Sequence, residues 1–414
     1  MEHFLPVLNA FSLERLGSLA ITTRAEKQRN PPHSLLCSVQ TPPNFGSFNA
    51  VFTIVFSDGV KWIARIPGNG LAFGPLDRQR MLSAIYTTSL IRLKTSIPVP
   101  EIFSWDVTSD TLGVPFTLES FVEGSVLAER WDDWASETKR LKVLRNLAAV
   151  MAELSKLEPY DKIGILHFTT DGQFSYIGET VLMEPDFFGE DSVWGTKYVS
   201  GPFDTTKSWL LRGDWKKSRP PWRKAELAIL HLAIESIPEN LLRPYVLGHP
   251  DFNYQNIFVD DDANILGIID WDGVSTRPRS LGFARYPSWI TRDWDPVKYG
   301  YGIPGSRKED SPQALLIYRR EYATAMAQRL RSASNYSRDD TMLSHLMEAI
   351  EIAAEDPICR SEIVKKLLQH AFDSKVPFTQ PEFFKAYENG VADVWVEAIK
   401  EAFNKMWRPE WLLA

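Results

Sequence analysis

The sequence predicts an α+β protein with a small antiparallel β-rich N-terminal lobe, holding one main helix, and a larger, mainly α C-terminal lobe. Three observations carry that expectation. Residues 45–67, FGSFNAVFTIVFSDGVKWIARIP, read as two apolar strands around the turn Ser57-Asp58-Gly59, which is a hairpin signal. One helical stretch, Asp77 to Lys94, follows and is closed by SIPVP, whose two prolines forbid further helix. From about residue 125 helical periodicity dominates, in Glu137 to Leu157, Pro221 to Ile237, Pro312 to Leu330 and Val391 to Trp407.

The elements follow in that order along the chain. After the first hairpin, Gly68 to Pro75 is a loop leading into the helix. Two strand-like runs then close the N-lobe, Glu101 to Val107 and Val114 to Phe121, the second ending at Val122-Glu123-Gly124. The expected division is therefore residues 1–122 and 123–414. In the first C-lobe helix, Leu141, Leu144, Leu147, Ala148, Met151 and Leu154 fall on one face. Residues 201–221 are turn-rich and receive no element, and the last hundred or so residues read as helices without an evident site. The chain shows no internal repeat and no low-complexity tract.

Composition narrows the function classes. With 414 residues, 44% hydrophobic and 24% charged, the chain can bury more than one core. A net charge of −7 gives no general attraction for nucleic acid, and the basic run WKKSRPPWRK is short enough to be a solvated loop. Cys37 and Cys359 form neither a disulfide framework nor a Cys/His metal cluster, which fits a reducing cytosol. The start, MEHFLPVLNAFSLERLGSLA, has no basic region followed by an apolar core, and no stretch is long and apolar enough to span a bilayer. The expectation is a cytoplasmic protein with no membrane contact and no evident obligate protein partner.

The chemistry concentrates in GHPDFNYQNIFVDDDANILGIIDWD, Gly248 to Asp272. Asn256 to Asp260 and Ile265 to Asp270 read as strands, and Asp261-Asp262-Ala263-Asn264 supplies turn residues. Folding back on that turn predicts that Asn256 and Asp270 meet at the open end, with Asp251 on the approach. A carboxylate with an amide carbonyl suits Mg²⁺, which keeps several waters and shares its shell with substrate phosphates. A further aspartate can accept a proton from an attacking hydroxyl. The order His249-x-Asp251-x-x-x-x-Asn256, then a hairpin, then Asp270 after Ile-Ile, matches a kinase catalytic loop and metal-binding aspartate, allowing for the missing HRD arginine.

With NFGSFNAVF (Asn44 to Phe52), TSIPVPEIFSW (Thr95 to Trp105) and YPSWITRDWDP (Tyr286 to Pro296) in the expected order, the sequence resembles the aminoglycoside phosphotransferase-like family. It is similar above all to that family's fungal members, small-molecule kinases with a protein-kinase-like bilobal fold. The resemblance spans residues 44–296. It implies ATP and Mg²⁺ as cofactors and transfer of the γ-phosphate to a hydroxyl of a small molecule. It further implies Asp251 as catalytic base, His249 as a brace of the catalytic loop, and Asn256 and Asp270 as the metal ligands. Gly46, Ser47 and Asn49 would belong to the loop over the phosphates, where glycine permits close backbone approach. Glu119 to Glu123, with Glu119 and Val122 named as nucleotide-binding, would be the hinge reaching adenine through backbone groups.

Two positions depart from the family pattern. The strand residue that usually holds phosphate as lysine is Arg65, and counting back from TSIPVP places Ala84 where the helix normally supplies that lysine's glutamate partner. Arginine differs in reach and shape, and its charge hardly depends on a counter-ion, so the two departures are mutually consistent. They also keep two alternatives open: a pseudokinase or nucleotide-responsive binding protein, and a kinase-fold enzyme transferring AMP or another group. A protein acceptor is disfavoured, because HPD replaces HRD and Trp271-Asp272 follows Asp270 where DFG would stand. Candidate acceptor residues are Asp272, Trp289, Asp293 and Trp294, with Glu184 to Trp194 as a candidate lid.

Overall fold

The computed structural model describes residues 2–27, 35–134, 136–157, 159–184, 196–212, 220–331 and 336–408. It divides into two compact units: residues 1–125 with 165–200 and 266–274, and residues 126–164 with 201–265 and 275–414.

In the first unit, helix α1 (Leu13–Lys27) precedes a six-stranded sheet built from β1 (Cys37–Val39), β2 (Asn44–Phe45), β3 (Asn49–Phe56), β4 (Lys61–Pro67), β5 (Ile102–Asp106) and β6 (Phe116–Ser120). Its order is β1-β3-β4-β6-β5, with β2 also on β3. β3 and β4 alternate strictly between buried and half-buried positions, so Ala50, Phe52, Ile54, Trp62, Ala64 and Ile66 form one core face. The other face carries Arg65. Gly59 takes φ +86°, the left-handed conformation this hairpin turn demands. Arg24 of α1 clamps the same turn, donating to both carboxylate oxygens of Asp58 at 2.9 and 2.5 Å. Between β4 and β5 runs α2 (Pro75–Lys94), begun by Pro75 and by Asp77, which accepts from the Gly74 N–H at 2.9 Å.

The unit boundary near residue 125 lies close to the expected 122/123 cut, but a single cut does not describe the molecule. Residues 165–200 form two hairpins, β7 (Ile165–Phe168) with β8 (Phe174–Gly178) and β9 (Thr180–Glu184) with β10 (Thr196–Ser200), and they pack with the first unit. The reason is local. Tyr86 of α2 meets Phe168 at 5.4 Å, Gln79 hydrogen-bonds His167 at 3.0 Å, and Gly172, at φ +78°, leaves just enough room for the Tyr86 ring.

The second unit is mainly helical, with α3 (Glu137–Met151), α4 (Pro221–Glu235), α5 (Pro312–Arg329), α6 (Ser344–Glu355), α7 (Pro357–Ala371) and α8 (Asp393–Met406). Its core joins α4, α6, α7 and α8 through Leu230, Ile234, Leu346, Ile350, Ile363, Leu367 and Phe403. A short antiparallel pair, β11 (Tyr245–Gly248) with β13 (Ser275–Pro278), brackets the strand β12 (Ile257–Val259) in sequence. Buried ion pairs fix the loop between β13 and α5: Arg285–Glu348 at 2.5 Å, Arg279–Asp340 at 2.8 Å and Arg319–Asp293 at 2.6 Å. No single helix among the described residues is long and apolar enough to cross a membrane.

Where β11 delivers the chain to His249, Gly248 lies backbone to backbone on Gly282, and a Cβ there would sit 2.7 Å from the Gly282 Cα. Gly46, by contrast, has its nearest neighbour at 3.6 Å. Gly248→Ala is therefore expected to lower unfolding stability by about 1–3 kcal/mol, the usual cost of overpacking, and Gly46→Ala to stay within about 0.5 kcal/mol. Urea unfolding midpoints of the two variants test this, and equal midpoints would remove the close approach as a constraint.

Candidate functional site

The loop after β11 is organised around Asp251. His249 is fully buried, and its Nδ1 accepts the Asp251 backbone N–H at 3.2 Å, so the ring braces the turn from below. Asn256 donates its amide NH₂ to both the Asp251 carbonyl, at 2.9 Å, and the Asp251 Oδ2, at 3.0 Å. Gln255 donates to the same Oδ2 at 2.9 Å. The carboxylate is exposed yet held by two amides, and because the Asn256 NH₂ is committed to Asp251, the atom Asn256 offers elsewhere is its Oδ1. Tyr254 stacks on Trp289 at 5.3 Å and 11°, which anchors the middle of the loop.

The second cluster lies in the first unit. Arg65 on β4 stands opposite Thr117 of β6, and Glu119 is its diagonal neighbour on the same face. The guanidinium turns Nη1 to Glu119, 3.7 Å away, and Nη2 to Asp270 and Asp272 at 2.9 and 2.7 Å. Asn49 also reaches Asp272, at 3.4 Å. Burial alone would lower the Arg65 pKa, but Asp272, Glu119 and Asp270 together outweigh it and hold the guanidinium firmly charged. Burial pushes the Glu119 carboxyl up, and Arg65 and the Thr117 hydroxyl, which donates to it at 2.6 Å, pull it back. Asp270 sits at φ +64°, in the left-handed region that aspartate tolerates better than most residues and that concentrates at functional sites.

Around these groups the first unit has a cavity lined by Phe48, Asn49, Arg80, Met81, Ala84 and Trp271 besides the charged cluster. Ala84 does face this space, and so does Asp77, the one acid of α2, which is engaged at the helix start with Gly74 and Asn69. The partner of Arg65 comes from β6 instead. The residue types fit the implied groups, since Asp270 and the Asn256 carbonyl are the hard oxygen donors that Mg²⁺ takes, and a cation beside a cavity fits nucleotide phosphates. Among the described residues no three His, Cys, Asp or Glu side chains are grouped as a metal cage, whereas Mg²⁺ needs only one or two carboxylates.

Residues 40–315 match the model of the phosphotransferase enzyme family, APH. The chain belongs to this family. Among curated proteins, a subtelomeric hrmA-associated cluster protein of Aspergillus fumigatus is 37% identical over 315 residues, which cover 60% of each chain. Altered inheritance of mitochondria protein 9, mitochondrial, from Kluyveromyces lactis is 23% identical over 345 residues, or 66% of this chain and 54% of that protein. The chain thus spans about half the length of that curated relative. Among solved structures, a candidate aminoglycoside phosphotransferase from Ralstonia eutropha aligns with TM-score 0.50 at 13% identity, over 96% of this chain and 98% of that one. The likeness shows the fold, an α+β protein-kinase-like one.

Several expectations for this chain are revised. Its cytoplasmic location is overturned by relatives named as mitochondrial proteins. Glu119, expected in the hinge, is the last-but-one residue of β6, paired with Ile63 and Ile102 on its two sides and with its side chain on Arg65. Gly46 is not held to glycine by the structure itself, while Ser47 follows it in the turn between β2 and β3. Val122 packs on Gly267, where a Cβ would meet Val122 at 2.4 Å, which accounts for the glycine in ILGIID. Asp272 joins the Arg65 cluster rather than an acceptor pocket. Trp289 is 3% exposed under Tyr254, Asp293 grips Arg319 with both oxygens, and Trp294 lies between His345 and His370 at 5.0 and 5.2 Å, so all three serve packing. Of the candidate lid, residues 185–194 lie outside the described residues.

Removing Arg65 leaves Glu119 buried without its cation. A carboxyl whose folded pKa stands above its unfolded value of about 4.3 costs stability once pH exceeds that value. The sign is therefore fixed: the deficit of Arg65→Met against the natural chain is full above the raised folded pKa of Glu119 and shrinks as pH falls through it. A deficit of about 1–3 kcal/mol at pH 7, discounted from a fully buried pair because Asp270 and Asp272 are 43% and 39% exposed, is expected to diminish at pH 5. Urea unfolding at both pH values measures it. Equal deficits would mean that Arg65 contributes packing and not charge.

Proposed function

We propose that this phosphotransferase moves the γ-phosphate of ATP to a hydroxyl of a small molecule, with Mg²⁺ held by Asn256 and Asp270. The single observation that carries the reading is Asp251: an exposed carboxylate held by two amide donors and by the brace of His249. A group so fixed accepts a proton from a hydroxyl placed beside it. In the reaction, the acceptor oxygen bonds to the γ-phosphorus, the bond from that phosphorus to the ADP oxygen breaks, and the hydroxyl proton passes to Asp251. The two amides keep the carboxylate aimed and unable to rotate away. Bound Mg²⁺ would supply neutralisation of the phosphate oxygens. Arg65 and Asn49 would grip the phosphate end of the nucleotide, with the turn 46–48 over it. The names of the mitochondrial relatives support a mitochondrial place of action.

One observation favours a second reading, a nucleotide-responsive binding protein. Arg65 is bonded to Asp270, so the proposed phosphate anchor and the proposed metal ligand satisfy each other in the free chain. Turnover separates the two readings.

Asp251→Ala is expected to lower kcat by about 10²–10⁴ with nearly unchanged Mg·ATP affinity, and Asp270→Ala to abolish Mg·ATP binding. The test is calorimetry with Mg·ATP, together with phosphorus NMR and mass spectrometry of the protein with ATP and a panel of hydroxyl- and amine-bearing metabolites. A phosphorylated product that persists undiminished in Asp251→Ala would refute the assigned base. Tight ATP binding with no product from any acceptor would favour the second reading, and an adenylylated product would replace phosphoryl by AMP transfer.

A further inference from the structure

We infer that Glu119, on strand β6, is the counter-ion that positions Arg65, in place of an acid on helix α2, and that Arg65, Ala84 and Glu119 form one coupled set. The inference rests on the phosphotransferase reading for its consequence at the nucleotide, but not for the pairing itself.

The geometry distinguishes Glu119 from the other two carboxylates around Arg65. Asp270 and Asp272 meet Nη2 and are 43% and 39% exposed, whereas Glu119 meets Nη1 and is 11% exposed. Glu119 is itself oriented by Thr117, whose hydroxyl donates to Oε1 at 2.6 Å. One end of the guanidinium therefore faces a fixed, buried partner, and the other faces partners open to solvent and to the cavity. When Asp270 is given to a metal, Glu119 remains behind Arg65 and Asp272 stays on Nη2, so the cation stays oriented while the one Nη2 N–H that Asp270 held is released for phosphate.

A lysine ammonium presents its three N–H donors from a single nitrogen, whereas a planar guanidinium presents five from three nitrogens, so Arg65 meets Glu119 with Nη1 while Nη2 donates from the other side of the fork. That difference makes arginine at position 65 and glutamate at position 119 a matched pair. On α2, the face toward the cavity presents Asp77, Arg80, Met81, Ala84, Ile85 and Thr88, and the one carboxylate among them, Asp77, bonds to the Gly74 N–H and to Asn69 at the helix start. The strands thus set the Nη1 end of the cation, since β4 and β6 are hydrogen-bonded neighbours with Arg65 and Glu119 on diagonal positions. A shift of α2 would not release Arg65.

The test uses the full chain and Mg·ATP as probe, with affinity read by calorimetry. Glu119→Gln is expected to weaken binding about tenfold, Ala84→Glu in that background to recover it to within about threefold, and Arg65→Lys not to retain natural affinity. Natural affinity in Glu119→Gln, or no recovery on adding Ala84→Glu, would overturn the inference. A second readout needs no nucleotide: urea midpoints of Arg65→Met, Glu119→Gln and the double variant. Losses that are less than additive support the pairing, and additive losses overturn it. If the natural chain takes up no Mg·ATP, the phosphotransferase reading falls, and the midpoints alone decide whether Glu119 holds Arg65.

Discussion

The ion cluster at Arg65 is the interaction on which the first unit's chemistry depends. A guanidinium pointing from the middle of a sheet toward a cavity is costly unless carboxylates compensate for lost water. Here three do so from two chain segments distant in sequence, β6 and residues 270–272. The cluster therefore fixes the Asp270 segment against the sheet, and other contacts follow from that placement. The Ile268 N–H donates to the Pro98 carbonyl at 2.9 Å, Trp271 buries its ring and donates to the Ile268 carbonyl at 3.0 Å, and Gly267 gives way to Val122. With the segment tethered on both sides, the left-handed backbone at Asp270 is over-determined rather than loose.

The Asp251 loop of the second unit is built differently, with neutral groups as its hydrogen-bond donors. His249, Gln255 and Asn256 each hold Asp251 through a hydrogen bond, and the carboxylate keeps its solvent exposure. Both amides donate to the one oxygen Oδ2, an arrangement that fits the proposed role of Asp251 as proton acceptor. Farther from the loop the same unit does use buried charge, in Arg285–Glu348 with Thr291 on the other Glu348 oxygen at 2.8 Å. There the demand is rigidity of the segment that carries Trp289, and through Trp289 the seat of Tyr254.

Much of this was legible in the sequence where local pattern decides structure. The β3–β4 alternation, the helix ended by SIPVP and the long periodic helices follow from residue order alone, and the structure places them within a few residues. What local pattern could not supply was register and long-range packing. Glu119 read as part of a hinge because nothing in PFTLESF says which strand residue it faces; only the pairing of Thr117 with Arg65 puts it there. The hairpins of residues 165–200 escaped notice since their strands are short and partly exposed, and their attachment to Tyr86 of α2 is a contact between distant segments. The aromatic run from Tyr286 to Trp294 carries the same composition whether it lines a pocket or fills a core, and burial alone separates the two.

The count of charges suggests why the departures at positions 65 and 84 belong together. Within ion-pair distance of Arg65 stand three carboxylates, so one positive against three negative leaves an excess of two negative charges. The cavity is already lined by Asp77 besides these three, so a glutamate at position 84 would bring a fifth carboxylate toward it, and the like-charge repulsion would raise the cost of keeping all of them ionised. Alanine there avoids the repulsion and leaves the space open. An excess of negative charge beside a cavity does not by itself receive an anionic phosphate; it receives a phosphate that arrives with cations. On the proposed function the cluster would favour a metal-bound nucleotide over a bare one, because only the metal-bound form brings the charge that Asp270 and Asp272 would lack once Arg65 turned its open end from them to the phosphate.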